Sequence, residues 1–135
     1  NAMQLAINDA GIKPDEVDYV NTHGTSTPIG DLAELKAIKN VFAEHAYNIS
    51  LTSSKSMTGH LLGGTGAVEA IISILSMQRG VVTPTINHEE GDEDSNIDYK
   101  LNFTFNQAQQ RNIHYAMSNN FGFGGHNACL LFKKL

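Results

Sequence analysis

The chain of 135 residues holds a single cysteine, Cys129, three prolines and no tryptophan. One cysteine excludes an internal disulfide framework and fits a reducing cytoplasm. Nine basic residues against fourteen acidic ones leave a formal charge of −5, so the electrostatic footprint of a nucleic-acid binder is lacking. No apolar run approaches the length needed to span a bilayer, and no signal-peptide pattern opens the chain, so neither a helical membrane anchor nor secretion is expected. Biased tracts and internal repeats are absent as well. What remains is 41% apolar residues in a chain long enough to enclose a core, the composition of one globular domain.

Two further absences remove common ligand classes. Gly59–Gly66 has the glycine density of a phosphate loop. Yet Gly59-x4-Gly64 is followed by Thr65-Gly66, not by the Lys-Ser/Thr that reaches phosphate and magnesium. Gly64-x-Gly66 has no third glycine, since Glu69 stands there, and a dinucleotide fingerprint is missing. The acids Glu89, Glu90, Asp92, Glu93 and Asp94 crowd one stretch. Without alternating oxygen ligands around a turn glycine, they read as a solvated loop rather than a cation site.

Hydrophobic spacing gives the coarse organisation. Residues 3–10 read as a helix stopped at Gly11, and Val17–Asn21 as a short strand. A second helix is expected to start near Asp31, with Asp31 as N-cap and Glu34 completing a capping box. Leu32, Leu35, Ile38, Val41 and Phe42 then form its buried stripe, leaving Glu34, Lys36 and Lys39 more exposed. Ile49–Ser53 reads as a strand followed by a Lys55–His60 loop. Leu61–Arg79 reads as a helix apolar on nearly every side, which calls for protein cover all round. Strands are expected at Tyr99–Phe105, Ile113–Ser118 and Ala128–Phe132. The order αβαβα followed by βββ implies a layered α/β unit with a mixed sheet.

The chemistry-bearing residues sit at the ends of these strands. His23, in Val20-Asn21-Thr22-His23-Gly24-Thr25-Ser26-Thr27-Pro28, has hydroxyls on both sides of a glycine, a pattern suited to an extended polar ligand and equally to a Ser/Thr turn. His60, in Lys55-Ser56-Met57-Thr58-Gly59-His60, stands where the apolar helix is expected to begin. The positive end of a helix disfavours an imidazolium, so a neutral ring could donate to an incipient oxyanion there; a capping histidine is the plainer alternative. Lys55 can pair with Glu69 or remain a surface lysine. Phe121-Gly122-Phe123-Gly124-Gly125 reads either as a bulged hairpin with aromatics in the core or as a mobile aromatic gate. Cys129, inside an apolar strand, reads as a small buried hydrophobe, not a nucleophile. The residues therefore offer oxyanion donors without a nucleophile, half of an active site.

Three motifs together resemble the 3-oxoacyl-[acyl-carrier-protein] synthases, the elongating type II form above all. They are Asn21-Thr22-His23-Gly24-Thr25-Ser26-Thr27-Pro28, Ser54-Lys55-Ser56-Met57-Thr58-Gly59-His60 and Asn120-Phe121-Gly122-Phe123-Gly124-Gly125-His126-Asn127. The similarity runs over essentially everything after Asn1-Ala2, which reads as the remnant of a cleaved expression tag, leaving 3–135 as the domain. The resemblance implies a thiolase-like fold of two α/β halves, of which this chain is most of the C-terminal one, its first strand missing. An exposed sheet edge and uncovered apolar surface are then expected.

By position, the resemblance implies that His23 and His60 are the active-site histidines, Lys55 the lysine that organises them and Glu69 its acidic partner. Thr25 and Thr27 match the hydroxyls that bind phosphopantetheine. Phe123 matches the gating phenylalanine, with Phe121 and Gly124 beside it at the oxyanion hole. The implied reaction is a decarboxylative Claisen condensation between an acyl thioester and malonyl-acyl carrier protein. It needs no metal or organic cofactor, and its nucleophilic cysteine belongs to an N-terminal half outside this chain, so the chain alone is expected to be inactive. The implied partners are acyl carrier protein, that N-terminal half and a second copy in a homodimer. A non-catalytic chain-length-factor partner, a polyketide ketosynthase and a thiolase are the rival resemblances. Retention of His23, Lys55 and His60 speaks against the first, and the Thr25–Thr27 and Phe121–Gly125 motifs against the last.

Overall fold

The computed structural model describes residues 1–91 and 93–135. Asp92, one member of the acidic stretch, lies outside the described residues. The chain opens with α1 (Ala2–Ala10), closed by Gly11 in the left-handed region. It continues through β1 (Tyr19–Asn21), α2 (Pro28–Phe42), β2 (Ser50–Thr52), a one-turn α3 (Lys55–Thr58) and α4 (Thr65–Arg79). A two-stranded antiparallel ribbon follows, β3 (Val81–Val82) with β4 (Gln109–Gln110). The last elements are β5 (Tyr115–Phe121) and β6 (Asn127–Lys133).

The main sheet has four strands in the order β2-β1-β5-β6, with β1 parallel to both β2 and β5 and β6 antiparallel to β5. Alternation along β1 splits the core between two layers. Val20 and its partner Met117 join Met3, Ile7, Ile38 and Phe42 on the α1/α2 side. Tyr19 and its partner Ala116 join Met77, Val82 and Ile113 on the α4 side. The result is an α/β layered unit, as the element order predicts. The edge strand β6 leaves Leu130 half exposed and pairs only with β5 among the described residues.

The structure corrects the sequence reading at several points. The segment 99–105 is not a strand; it contributes only isolated bridges, Ser50 with Asn102 and Thr85 with Phe105. Its aromatics stack on one another and on His88, with the Phe105 and His88 centroids 3.8 Å apart. α2 starts three residues before Asp31, because Pro28 fits the first helical position with Thr27 as N-cap. The expected Lys55–His60 loop begins with α3, and α4 begins at Thr65 rather than Leu61, after a 3-10 turn at Leu62–Gly64.

The polarity of two helices is also inverted locally. Glu34, expected to face solvent, is buried, since it shares the i, i+4 stripe of Ile38 and Phe42. On α4 the stripe against the sheet is mostly polar, with Thr65, Glu69, Ser73 and Ser76 buried. Ile71 and Leu75 point outward, 57% and 39% exposed. The burial of that polar stripe brings the candidate site together.

Candidate active site

Parallel strands deliver their loops to one end of a sheet, and β1 and β2 do so here. Beyond β1, Thr22 anchors to β2 twice: its backbone N–H and its hydroxyl both donate to the Thr52 carbonyl, at 2.8 and 2.9 Å. The next two backbone N–H groups, of His23 and Gly24, donate to the two oxygens of Glu34 at 2.9 and 3.0 Å. The Gly24 carbonyl accepts from Ser53 Oγ at 2.6 Å. Gly24 has φ +35°, and a Cβ there would meet Thr22 Oγ1 at 2.7 Å and Ser53 Cβ at 2.8 Å. Only glycine fits this crossing, which holds the His23 loop against the end of β2.

Lys55 opens α3 and is buried beside Glu69 of α4, with Nζ 2.6 Å from Oε1. Ser54 Oγ donates to the same oxygen at 3.3 Å and is tied to Asn21 at the end of β1. Burial pushes the Glu69 carboxyl above its ordinary range, while Lys55 and Ser54 pull it back. Glu34 is likewise pushed up by burial, against the donors from Gly24, Asn119 and His23. Cys129 sits on β6 in the α1/α2 core, and burial pushes its thiol up to about 12. A thiol so held is protonated and inert.

The two histidine rings meet edge to face, their centroids 5.6 Å apart and their planes at 86°. His23 also packs against Phe121 at 5.3 Å. Burial, then Lys55, then His60 lower the His23 pKa to about 4, so its ring is neutral at pH 7. Its Nδ1 is buried with no hydrogen-bond partner. The exposed His60 does not stand at the helix start where the sequence places it. It precedes α4 by five residues, and its Nδ1 accepts the Leu62 N–H at 3.0 Å and faces the Thr65 hydroxyl at 3.1 Å. The ring proton of the neutral form is thereby left on Nε2.

Thr22, Gly24, Thr25, Lys55 and His60 line one side of a cavity of about 580 Å³ that extends to Tyr99, Phe103 and Phe105. His23 adjoins it through His60 but is not among its lining residues. The Thr25 and Thr27 hydroxyls lie 3.4 Å apart on the exposed approach to α2. Phe123 stands at the other extreme, fully exposed on the 3-10 turn Phe123–Gly125, in which Gly124 has φ +80°. Of the two aromatic rings in that motif, Phe121 touches a histidine and Phe123 meets solvent. Among the described residues no three His, Cys, Asp or Glu side chains gather as metal ligands.

The structure thus assembles His23, His60, Lys55, Glu69 and Phe121 at one end of the sheet. Sequence reasoning missed Glu34, Ser54, Asn119 and Asn120. Glu34 was legible as a member of the Ile38–Phe42 stripe; the serine and asparagines carry no periodic signal. The arrangement provides two imidazoles, the His60 loop being open to solvent, beside a buried ammonium–carboxylate pair. Such a set can donate hydrogen bonds to an oxygen that gathers negative charge.

Residues 1–89 match the family described as "Beta-ketoacyl synthase, C-terminal domain". The chain is 56% identical over 133 residues to 3-oxoacyl-[acyl-carrier-protein] synthase 2 of Staphylococcus aureus, covering 98% of this chain and 31% of that protein. It therefore spans about a third of the length of the curated relatives it matches. Among solved structures, a type II polyketide ketosynthase in complex with its acyl carrier protein superposes with a TM-score of 0.91 at 34% identity, covering 98% of this chain and 32% of that one. The ishigamide ketosynthase/chain length factor does so with a TM-score of 0.89 at 32% identity and the same coverage.

Proposed function

The chain belongs to the beta-ketoacyl synthase family, and we propose that it supplies the decarboxylating half of a condensing site that elongates acyl chains in type II fatty acid synthesis. The observation that carries this reading is the meeting of His23 and His60, edge to face at 5.6 Å, beside the buried Lys55–Glu69 pair. Both rings donate to the thioester carbonyl of malonyl-acyl carrier protein. The C–C bond to the carboxylate breaks, carbon dioxide leaves, and its electron pair passes into an enolate whose oxygen the imidazoles stabilise. The enolate carbon then attacks an acyl thioester on a cysteine, the thiolate leaves, and a 3-oxoacyl chain two carbons longer results.

That cysteine is contributed by the part of the enzyme this chain does not span. Cys129 has neither the exposure nor the ionisation for the task, and we expect the chain alone not to condense. Thr25 and Thr27 take the phosphopantetheine arm at the mouth of the cavity, and Phe123, with Phe121 and Gly124, forms the gate. Acyl carrier protein is the partner, and the full enzyme works as a cytoplasmic homodimer. The 56% identity to a 3-oxoacyl synthase, against 34% to a polyketide ketosynthase, supports the fatty-acid assignment. The retained histidines support a catalytic subunit over a chain-length factor.

The test is to supply the full-length enzyme with an acyl-carrier thioester and malonyl-carrier protein and to weigh the products by mass spectrometry. A 3-oxoacyl product longer by two carbons is expected. Acylation without any condensation would overturn the reading.

A further inference from the structure

Asn119 and Asn120 are neighbours on β5, and a strand sends neighbouring side chains to opposite faces. Asn119 turns to the α2 face, where it donates to Glu34 Oε1 at 3.0 Å. Asn120 turns to α4, with Nδ2 3.4 Å from Glu69 Oε2. Lys55 and Ser54 both engage the other oxygen, Oε1. Among the described residues, Asn120 is thus the donor on Oε2. Gly66, one turn before Glu69, leaves room for the amide: a Cβ there would stand 3.4 Å from Asn120 Nδ2. The next residue along β5 is Phe121, whose ring packs on His23. One strand end therefore touches the ion pair and, a single residue later, the histidine.

We propose that Asn120 is a positioning residue of the condensing site. Its amide fixes the second oxygen of Glu69, Glu69 fixes the Lys55 ammonium, and the pair is tied through Asn120 to the Phe121–Gly125 segment. The inference rests on the roles given above to Lys55 and Glu69. The charged and titratable groups that face Glu69 are Lys55 on α3, His60 on the loop before α4 and Tyr19 on β1. Burial already pushes the Glu69 carboxyl up, and removal of a donor to the carboxylate pushes it further. Without Asn120 the pair is lost at a higher pH.

The experiment follows malonyl decarboxylation by the full-length enzyme against pH, for wild type, Asn120→Ala, Asn120→Leu and Asn120→Asp, each alone and with Glu69→Gln. Leucine keeps the branched outline of asparagine and removes the donor, so it serves where alanine does not fold. Loss of one hydrogen bond to a charged group predicts kcat about tenfold lower at neutral pH with KM within about twofold. The acid limb moves to higher pH, and further for Asn120→Asp, which sets a second carboxylate against Glu69. With Glu69→Gln present, the Asn120 substitutions change kcat by less than about twofold. An unshifted acid limb, or equal losses in both backgrounds, overturns the proposal. Infrared titration of the Glu69 carboxylate, referenced to Glu69→Gln, reads the same shift without turnover. An enzyme that releases no carbon dioxide therefore sinks the site reading, while the infrared shift still decides on Asn120.

Discussion

Lys55 Nζ lies 2.6 Å from Glu69 Oε1, and both side chains are almost fully buried. Two charges removed from water repay their desolvation only when geometry and further hydrogen bonds are good, and removal of one partner strands the other. Ser54 and Asn120 add such hydrogen bonds on the carboxylate side. Lys55→Ala is therefore expected to destabilise the fold by about 3–5 kcal/mol. The paired apolar change Lys55→Met with Glu69→Leu should cost far less. Urea unfolding of the three proteins measures this; equal losses would mean that the pair carries no coupled charge.

Glu34 holds the backbone of the His23 loop through two N–H donors. Glu34→Gln turns an NH₂ group towards one of those donors and leaves it buried without a partner. A cost of about 1–3 kcal/mol is expected, together with slower malonyl decarboxylation at unchanged cysteine acylation. Comparison of the two half-reactions checks it; equal slowing of both would place Glu34 in the scaffold alone.

The backbone at Gly24 has no room for a side chain. Gly24→Ala must move Thr22 or Ser53, both of which anchor the loop to β2. Overpacking of this kind costs about 1–3 kcal/mol. The variant should melt earlier and lose decarboxylation more than binding of the malonyl thioester, as calorimetry and a KM-against-kcat comparison would show.

The folded-state pKa of His23, about 4, lies below the ordinary 6.5. The unfolded chain therefore takes up this proton first as pH falls. The associated stability is present above 6.5 and is lost progressively as pH falls towards 4. Wild type should lose more melting temperature between those pH values than His23→Gln. Equal losses in the two proteins would show that the ring is not held neutral by its surroundings.

Much of this arrangement could be read from sequence because it depends on local pattern. The strand end at Asn21 and the pairing of Lys55 with Glu69 follow from periodicity and from motifs that resemble a known family, whereas the second strand stops at Thr52, one residue short of the expected Ser53. The segment 99–105 misled because alternating aromatics satisfy a strand pattern, whereas here they stack on each other and on His88. His60 does not stand at the start of α4, as the apolar run suggests; it precedes the helix by five residues, and its Nδ1 takes the Leu62 N–H instead. The roles of Asn119 and Asn120 could not be found from sequence, although Asn120 opens a quoted motif, since they come from contacts with two helices 85 and 51 residues away, met from opposite faces of one strand.

The central claim is that two imidazoles, those of His23 and His60, act together on one thioester oxygen. The direct measurement is carbon dioxide release from malonyl-carrier protein by the full-length enzyme carrying His23→Ala or His60→Ala, with acyl-cysteine formation followed in parallel. Each substitution is expected to reduce release to the level without enzyme while acylation stays measurable. Release at the wild-type rate in both variants would contradict the account.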